Sequence, residues 1–257
     1  MFQEERLIKI MSILAAKKRI SIEEICETFN VSRDTARRDL VKLDEQGQIV
    51  RTRGGALQPT QHLLNTYEDR KNTQAMSKHK IGLAAVNLIR DEEQILLDSS
   101  TTVQSMVEYW KSVHNRVVTN SVDIASLMVG KHHCEVHLLG GIIHPTQRFI
   151  YGAKTLESLN QLHFQKLFLG ACGVTKDGLS NPYEEESTLI KNMINRAEQV
   201  IVLADSTKFH QQLFHHVCSL ESIDMIITDQ EPDQSFQELL VQLDIQIIVT
   251  IGDEIDD

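Results

Sequence analysis

The chain is 257 residues long, which suits one large domain or two, and 41% of its residues are hydrophobic, which is sufficient for a packed core. No apolar run approaches the roughly 20 residues that span a membrane, and the first residues are acidic rather than like a signal peptide, so we expect a soluble, cytoplasmic protein. The formal net charge of −10 excludes a chain that is basic along its whole length.

The first clear signal along the chain is the start of a short helix. Ser21 and Glu24 have the spacing of a capping box, in which hydroxyl and carboxylate accept N–H groups of the first helical turn. This spacing predicts a helix over Ser21–Phe29. Its apolar stripe consists of Ile22, Ile25, Cys26 and Phe29.

A second helix follows after a short turn at Asn30 and Val31. Ser32 is its predicted N-cap, and Gly47 is its predicted end. Ala36, Leu40 and Leu43 fall at positions i, i+4 and i+7, which is the spacing of one buried helical face.

The opposite face of the second helix is basic and rich in hydrogen-bonding groups. It carries Arg33, Thr35, Arg37, Arg38 and Lys42. A helix of this length enters the major groove of DNA, and Arg37 and Arg38 are the strongest candidates for base contacts. The alternative is a small helical domain whose arginine-rich helix is only a solvated face.

A basic hairpin is predicted directly after this helix. Gln48–Arg51 is its first strand, Gly54 and Gly55 form the turn, and Ala56–Leu57 is the return strand. Arg51, Thr52 and Arg53 would lie on this hairpin wing, where arginines suit phosphates or a minor groove. The order of caps, turn and wing favours a DNA-binding head over a plain helical domain.

The segment Val31–Leu40 (VSRDTARRDL), followed by Gly47 and by Arg51–Ala56 (RTRGGA), resembles the DeoR family of bacterial transcriptional regulators. The family commonly has isoleucine where this chain has Ala36, which is a smaller core contact. The resemblance implies a winged helix-turn-helix domain over residues 1–58, with the helix-turn-helix at about 20–39. It implies DNA contacts by Ser32, Arg33, Asp34, Thr35, Arg37, Arg38, Lys42, Arg51 and Arg53.

Charge is divided unevenly along the chain. Residues 1–58 contain 11 Lys and Arg against 9 Asp and Glu, whereas the remainder contains 15 against 27. The acidic C-terminal part should keep non-specific DNA affinity modest and orient DNA toward the head. Residues 59–78 are polar, contain Pro59 and are predicted to be a linker, although Tyr67–Lys71 is charged enough for a helix start or an interface strip.

Strands and helices alternate beyond the linker. A helix is predicted from Lys80, with Ile81, Ala84, Ala85, Leu88 and Ile89 on one side. The predicted strands are Ile95–Asp98, Val117–Thr119, Val136–Leu139, Lys166–Leu169, Val200–Ala204, Met225–Thr228 and Ile245–Val249. Such alternation indicates an α/β domain with a mostly parallel sheet covered on both faces, over residues 79–257.

Small, hydroxylic and glycine residues follow five of these strands. They are Asp98-Ser99-Ser100-Thr101-Thr102, Asn120-Ser121, Gly140-Gly141, Gly170-Ala171-Cys172-Gly173 and Asp205-Ser206-Thr207-Lys208. Ligands of parallel sheets bind outside the carboxyl ends of the strands, so this pattern predicts a site for an anion and a polyol. Hydroxyls, backbone N–H groups and Lys208 would hold a phosphate, while Asp98, Asn120 and Asp205 would take sugar hydroxyls.

Taken singly, each of these motifs has a plainer explanation. The Ser-Ser-Thr-Thr run could only cap a helix, Gly140-Gly141 could only be a turn, and Lys208 could be a solvated surface lysine. Their shared position at successive strand ends is what favours a ligand site.

These motifs, together with Glu186, also resemble the DeoR-family C-terminal domain, so the resemblance covers nearly the whole chain. It implies a fold like that of ribose-5-phosphate isomerase, glucosamine-6-phosphate deaminase and the CoA-transferases, with phosphorylated sugars as inducers. Two positions depart from the family pattern: Ser100 replaces a common glycine, and Ile190-Lys191 replaces Lys-Arg. The resemblance implies effector contacts at Asp98, Ser99, Ser100, Thr101, Thr102, Asn120, Gly140, Gly141, Gly170, Gly173, Glu186, Asp205 and Lys208.

The expected protein is therefore a repressor of a carbohydrate-utilisation operon that binds double-stranded operator DNA as a homodimer or homotetramer and is relieved by a phosphorylated sugar. An activator of the same architecture is the alternative, because the sign of regulation depends on the position of the operator. A sugar-phosphate enzyme would use Asp205, Glu186 or Lys208 for proton transfer, but no base is present beyond those that a binding site would itself use. We expect no cofactor and no membrane partner.

Cysteine and histidine spacing does not favour a metal site. Cys26, Cys134, Cys172 and Cys218 are far apart, without a C-x-x-C pair, and indicate reduced, mostly buried thiols. Two groups of histidines contain enough potential ligands for a metal site, but neither is accompanied by the residues that usually orient metal-binding histidines. They are His132, His133 and His137 near Cys134, and His210, His215 and His216.

Overall fold

The computed structural model describes residues 3–17, 19–45, 49–52, 54–57, 66–131 and 133–250. The chain divides into two compact units, Met1–Asn65 and Thr66–Asp257. No helix in the described ranges is long and apolar enough to cross a membrane.

The first unit is a winged helix-turn-helix. Its helices are α1 (Gln3–Lys17), α2 (Ile22–Phe29) and α3 (Arg33–Glu45), and its strands are β1 (Arg19–Ser21), β2 (Val50–Thr52) and β3 (Gly55–Leu57). The strands form an antiparallel sheet in the order β1-β3-β2. The predicted helix pair and hairpin are confirmed, whereas α1 and β1 were not anticipated from the sequence.

The predicted caps organise the helix-turn-helix. Ser21 Oγ accepts the N–H of Glu24 at 3.0 Å, and Ser32 Oγ accepts the N–H of Thr35 at 3.2 Å. Asn30 ends α2 in the left-handed region, at φ 51°, which asparagine tolerates better than most residues. The turn between α2 and α3 is therefore set by local side-chain chemistry.

The core of this unit lies between its three helices. Ala36, Leu40 and Leu43 are at most 1% exposed, as the i, i+4, i+7 pattern predicts, and they pack with Ile10 and Leu14 of α1. The predicted helix end at Gly47, the start of the wing at Gln48 and residues 58–65 lie outside the described residues.

Gly55 explains how the wing joins the rest of the unit. A Cβ atom on this residue would lie 2.0 Å from the carbonyl oxygen of Ile20. Only glycine lets β3 approach β1 this closely. The wing is thereby paired to the strand that leads into α2.

The second unit is built on a seven-stranded parallel sheet. Its strands are β4 (Gln94–Leu97), β5 (Arg116–Thr119), β6 (Glu135–Leu138), β9 (Phe164–Gly170), β12 (Ala197–Leu203), β14 (Met225–Thr228) and β15 (Gln246–Val249). Every predicted strand of this sheet is present, and the predicted fold class is confirmed.

Helices and short strands surround the sheet. The helices are α4 (Tyr67–Asn72), α5 (Ala75–Val86), α6 (Thr101–Val107), α7 (Val122–Met128), α8 (Ala153–Asn160), α9 (Glu184–Ile194) and α10 (Gln234–Gln242). The short strands are β7 (Ile142–Ile143), β8 (Ile150–Tyr151), β10 (Gly173–Thr175), β11 (Gly178–Asn181) and β13 (His215–Cys218). They pair as a β7-β8 hairpin and as an antiparallel sheet in the order β10-β11-β13.

Both faces of the parallel sheet are covered by apolar side chains. On one face Leu96, Leu167 and Val202 pack with residues of α8, α9 and α10. On the other face Ile95 and Phe168 pack with residues of α5, α6 and α7. Burial on both sides explains why the strands are nearly continuous apolar runs.

The order of strands, β15-β14-β12-β9-β4-β5-β6, reverses between β4 and β9. From β4 the chain proceeds outward through β5 and β6, and from β9 it proceeds the other way through β12, β14 and β15. Such a switch point leaves a crevice at the carboxyl ends of the two strands, where parallel sheets bind ligands.

The predicted linker is wrong at its C-terminal end. Residues 66–78 belong to the second unit, because Thr66 and Asp69 form a reciprocal capping box that starts α4, and α5 begins at Ala75 rather than near Lys80. Tyr67 is buried, and its N–H donates to the carbonyl oxygen of Thr146 at 3.0 Å. Of the two alternatives to a linker at Tyr67–Lys71, a helix start or an interface strip, the helix start is the one present, as α4.

Candidate functional site

Arg37 and Arg38 are the free cations of the helix-turn-helix. Both are exposed on α3, and neither makes a hydrogen bond or an ion pair with the part of the chain that the structure describes. Their guanidinium groups are therefore available to an external acceptor, and Arg is suited to guanine edges and phosphates alike.

Other predicted DNA contacts have partners within the unit. Arg33 pairs with Glu23 of α2, and Lys42 donates to Gln3 Oε1 at 3.5 Å. Thr35 Oγ1 lies 2.9 Å from Ser32 Oγ, while Asp34 is exposed in the first turn of α3. Arg51 lies on β2, although its side chain is not among the described ones, and Arg53 lies outside the described residues.

A buried ion pair orients the recognition helix. Asp39 is 0% exposed and accepts from Arg6 of α1, with Nη2–Oδ1 at 3.0 Å, and from Gln3 Nε2 at 2.9 Å. Removing one partner of such a pair leaves an uncompensated buried charge. Sequence reasoning assigned Asp39 no role, because its partner lies 33 residues earlier in a helix that was not predicted.

In the second unit, Asp98 and Gly170 meet at the switch point. Asp98 follows β4, is 2% exposed, and accepts the N–H of Gly170 at the end of β9 on Oδ2 at 3.1 Å. A Cβ on Gly170 would lie 2.1 Å from Cβ of Ser100. The two strand ends predicted to form the site are therefore in contact.

The hydroxyl run after β4 borders the same place. Ser100 Oγ accepts the N–H of Val103 at 3.0 Å and caps α6. Ser99, Thr101 and Thr102 are each less than 10% exposed. The Ser-Ser-Thr-Thr run thus caps a helix, as its plainer reading holds, and lines the strand end as well.

Asn120 at the end of β5 is buried with an unused side chain. It is 0% exposed, and neither its Nδ2 nor its Oδ1 has a hydrogen-bond partner among the described residues. Buried amides are normally paired, so an amide without a partner at a strand end makes Asn120 a candidate binding residue. Asp98 Oδ1 and Asp205 Oδ2 are likewise without a hydrogen-bond partner.

Lys208 and Lys78 flank the end of β12. Lys208 Nζ lies 3.9 Å from Asp205 Oδ2, and its side chain is 19% exposed, so it is not a solvated surface lysine. Lys78 of α5 is 6% exposed and donates to the carbonyl oxygen of Arg70. Burial, opposed by Asp205 and assisted by Lys208 and Arg70, lowers the pKa of Lys78 to about 8.

Arg70 is a third cation at this edge. It lies on α4, donates from Nη2 to Gln147 Oε1 at 2.7 Å, and has a buried Nε without a partner among the described residues. Its positive charge favours the ionised forms of Asp98 and Glu186, and it therefore opposes the rise in their pKa values that burial causes. Arg70 and Lys78 were missed because both fall in the predicted linker, and the capping box at Thr66 and Asp69 was the available signal.

Two buried acids share this environment. Burial raises the pKa of Asp98 to about 6. Backbone hydrogen bonds from Gly170, Ser99 and Ser100 oppose that rise. Burial and the nearby Asp98 raise the pKa of Glu186 to about 7. A pair of acids with raised pKa values beside Arg70 is able to accept and to donate hydrogen bonds to a polyol.

The predicted glycine pairs have separate roles. The carbonyl oxygen of Gly140 accepts from Thr155 Oγ1 at 2.9 Å, and a Cβ on Gly141 would meet that same hydroxyl at 2.2 Å. A Cβ on Gly173 would lie 2.3 Å from the carbonyl oxygen of Gln211. No hydrogen bond in the described part of the chain joins these glycines to Asp98 or Asp205; Gly141 and Gly173 allow close packing, whereas a Cβ on Gly140 would meet nothing within 4 Å.

Metal ligation finds no support in the described residues. No group of three or more His, Cys, Asp or Glu side chains there is placed to hold a metal ion, and His132 lies outside the described residues. His137 pairs with Glu135 at 2.8 Å and His210 with Asp233 at 2.9 Å. The four cysteines are half-buried and form no disulfide among the described residues.

Two family models match the chain. The DeoR-like helix-turn-helix domain matches residues 6–62, and the DeoR C terminal sensor domain matches residues 73–230. The second match includes α5 and Lys78, which the sequence-based boundary left outside the sensor domain.

Relatives match over nearly the full chain. The HTH-type transcriptional repressor GlcR of Bacillus subtilis is 42% identical, covering 99% of each chain. The glycerol-3-phosphate regulon repressor of Escherichia coli is 30% identical, covering 96% of this chain and 99% of that protein. The lactose phosphotransferase system repressor of Streptococcus mutans is 29% identical, covering 93% of this chain and 97% of that protein.

Solved structures match more weakly. A D-ribose-5-phosphate isomerase in complex with phospho-erythronic acid is 19% identical, with a TM-score of 0.39 over 54% of this chain and 55% of that one. The eIF2B delta chain from Chaetomium thermophilum is 15% identical, with a TM-score of 0.44 over 90% of this chain and 72% of that one.

Proposed function

This chain belongs to the DeoR family of transcriptional regulators, and from that premise we propose that it is a cytoplasmic repressor of a carbohydrate-utilisation operon, relieved by a phosphorylated sugar. It is a DNA-binding regulator rather than an enzyme. Relatives named as repressors of glycerol-3-phosphate and lactose phosphotransferase genes support the carbohydrate assignment.

The observation that carries the effector proposal is the set of unsatisfied buried polar atoms beside three cations at the carboxyl edge. Asp98 Oδ1, Asp205 Oδ2, both amide atoms of Asn120 and Arg70 Nε have no hydrogen-bond partner among the described residues. Leaving such atoms unpaired costs roughly 1–3 kcal/mol each, which a bound polyol phosphate would recover in part.

The charges of the site residues indicate which of them bind the phosphate and which bind the sugar hydroxyls. Arg70, Lys78 and Lys208 supply positive charge for the phosphate, since all three act electrostatically on the same buried acids or on one another. Asp98, Asn120 and Glu186 supply oxygen and amide groups for sugar hydroxyls. Thr101 and Thr102, which are buried at the start of α6 directly after β4, supply hydroxyls at the same strand end as Asp98.

DNA reading is assigned to the exposed face of α3. Arg37 and Arg38 would contact base edges, Ser32 and Thr35 at the start of the helix would contact phosphates, and the wing arginines would contact the backbone or minor groove. One such helix reads few base pairs, so a two-fold pair of chains on repeated half-sites is the route to useful specificity.

The position of Arg70 and Lys78 supports a coupling route between the two functions. Both lie on the first helices of the sensor unit, which begins at Thr66, directly after the chain leaves the DNA-binding unit at Asn65. A ligand that draws these cations toward its phosphate favours one arrangement of α4 and α5 over another. Such unequal binding to two states is what allows a ligand to change DNA affinity.

The test has two separate arms on the purified full-length chain. In the first, selection from random double-stranded DNA should enrich a repeated half-site, and a failure to enrich any sequence would refute specific DNA binding. In the second, a panel of sugar phosphates is screened by thermal shift, with the parent sugars as controls. One phosphorylated sugar should stabilise the chain by about 2.7 kcal/mol at 100 times its Kd and release the selected DNA.

Either arm can fail alone. If a parent sugar stabilises the chain as strongly as its phosphate does, the phosphate group is not part of what the site recognises. Stabilisation without release of DNA would remove the repressor mechanism while leaving the sensor site intact. Tighter DNA binding with the effector would contradict relief of repression and favour the activator.

A further inference from the structure

Strand β6 is the last strand of the parallel sheet, and one of its edges pairs with no strand in the part of the chain that the structure describes. Glu135 and Leu139 donate their backbone N–H groups inward, to the carbonyl oxygens of Asn115 and Thr119 at 2.9 Å each. Because alternate residues of a strand turn their N–H and C=O groups to opposite sides, Val136 and Leu138 present theirs to the open edge. An edge of this kind is a template for another strand.

Exposed apolar residues are concentrated in the stretch of the chain that contains β6. Ten large hydrophobic residues are exposed in the part of the chain that the structure describes, and five of them lie between residues 127 and 143. They are Leu127 and Val129 at the end of α7, Leu138 of β6, and Ile142 and Ile143 of β7. Soluble monomers rarely expose apolar side chains in such a group, so the patch indicates a contact surface.

The charges on β6 identify the occupant. Glu135 and His137 point to the same face of the strand, with Oε1 and Nε2 2.8 Å apart, and Arg116 of β5 adds a second contact to Glu135 at 3.1 Å. The acidic Glu135 and the basic His137 lie one residue before and one residue after Val136. A two-fold axis through Val136 therefore exchanges their positions, so that each acidic group meets a basic group of the other copy. A second copy of this strand reversed in direction would place Glu135 opposite His137.

We propose that two copies of the chain pair their β6 strands antiparallel across a two-fold axis at Val136, joining two seven-stranded sheets into one of fourteen strands. This dimer rests on the two-fold assembly invoked for operator recognition. Val136 then faces the partner's Val136, and each Glu135 lies opposite the partner's His137. The exposed patch of Leu138, Ile142 and Ile143 flanks the new strand pair.

The pattern of outward groups limits the register. A shift of one residue would bring inward-facing backbone groups to the junction, which cannot pair. A shift of two residues would set His137 opposite the partner's His137, where two like groups meet. The register centred on Val136 alone combines outward hydrogen-bonding groups with opposite charges directly across the junction.

A charge-exchange series tests this dimer by the mass of the full-length chain in solution. Glu135→Lys sets Lys against the partner's His137, and His137→Glu sets Glu against the partner's Glu135, so each single variant should raise the dimer Kd by about tenfold or more. The double variant Glu135→Lys/His137→Glu restores opposite charges and should recover most of the affinity. Circular dichroism confirms that each variant remains folded.

Three results overturn the proposal: a monomer at all concentrations, a dimer that neither single variant weakens, or a double variant no better than the singles. None of these touches the proposed regulatory function, which is read separately by DNA selection and by the sugar-phosphate screen. A chain that dimerises and binds its DNA and its effector, but whose dimer fails the exchange series, assembles through another surface.

Cysteine cross-linking provides a second test that is specific to the register. Directly opposed residues of a non-hydrogen-bonded pair have Cα atoms about 4.5 Å apart, which a disulfide can bridge. The variant Glu135→Cys/His137→Cys should form a dimer on oxidation that a reductant reverses. Each single variant should remain uncross-linked like the unsubstituted chain, and cross-linking of a single variant would refute the register.

Discussion

Asp98 Oδ2 accepts a hydrogen bond from the N–H of Gly170 at 3.1 Å, so the carboxyl ends of β4 and β9 are joined at the point where the strand order reverses. The two residues are 72 positions apart in the chain. Their contact brings together the hydroxyl run after β4 and the glycine after β9, and it leaves Asp98 Oδ1 free of a partner among the described residues.

Gly170→Ala should destabilise the chain by about 1–3 kcal/mol, because the added Cβ would lie 2.1 Å from Cβ of Ser100 and force the start of α6 to move. The matched control is Gly140→Ala, whose Cβ meets nothing within 4 Å. Urea unfolding of both variants measures the difference. Equal stabilities would mean that the contact between Gly170 and Ser100 does not constrain the site.

Arg37→Ala and Arg38→Ala should each weaken binding to the selected operator by about 1–3 kcal/mol, because each removes an exposed guanidinium from the recognition face. Lys9→Ala, which removes an exposed cation of α1, is the control and should change binding little. Stabilisation by the effector should persist in all three variants. Joint loss of DNA binding and effector stabilisation would instead assign the arginines a structural role.

Lys208→Ala and Arg70→Gln should abolish the response to the phosphorylated effector while leaving operator binding intact. Each removes one of the charges that face the buried acids at the carboxyl edge. Lys191→Ala is the control, because Lys191 is exposed on α9. Release of operator DNA by the effector measures the response, and an unchanged release would exclude the substituted residue from the site.

The ligand-free chain should lose stability as pH rises through about 6 to 7. The pKa values of Asp98 and Glu186 are raised to about 6 and about 7, so the folded state holds these protons more tightly than the unfolded chain does. This stabilisation is fully present below the unfolded pKa values near 4 and disappears above the folded ones.

Glu186→Gln isolates that effect, since glutamine does not titrate. The stability of the unsubstituted chain minus that of the variant should fall by on the order of 2 kcal/mol between pH 5 and pH 8. Denaturant unfolding at each pH provides the two curves. A difference that stays constant across the window would show that Glu186 ionises normally.

Effector affinity should have its own pH profile, with a decline above about 8. The pKa of Lys78 is lowered to about 8, so its ammonium loses a proton there and no longer attracts a phosphate. A phosphate monoester becomes a dianion above about 6, which sets the lower limit of the optimum. Calorimetric titration should show the upper decline in the unsubstituted chain and its absence in Lys78→Arg.

Local signals in the sequence were sufficient for the helix pair of the DNA-binding unit, although not for α1 and β1. The caps at Ser21 and Ser32 and the spacing of Ala36, Leu40 and Leu43 act within one or two helical turns, so the helix pair could be predicted from neighbouring residues alone. The seven strands of the parallel sheet could also be predicted from the sequence, because strands that are buried on both faces are continuous apolar runs.

Long-range contacts decided the rest. The sequence could not indicate that Arg6 would neutralise Asp39, or that Glu135 would face His137 on an open sheet edge, because both depend on how elements are arranged in space. Gly140 and Gly141 followed a strand as the site motif requires, yet they pack against Thr155.

The sequence by itself determined the family, the strand ends and the acidic and hydroxylic residues that follow them. Only the tertiary structure showed that Arg70 and Lys78, on helices at the very start of the sensor unit, lie near the acids at the carboxyl edge of the sheet. A strand-end motif is formed by neighbouring residues and can therefore be recognised in the sequence. The charged residues that face it come from helices that only the folded chain brings to that edge, so no spacing along the sequence predicts them.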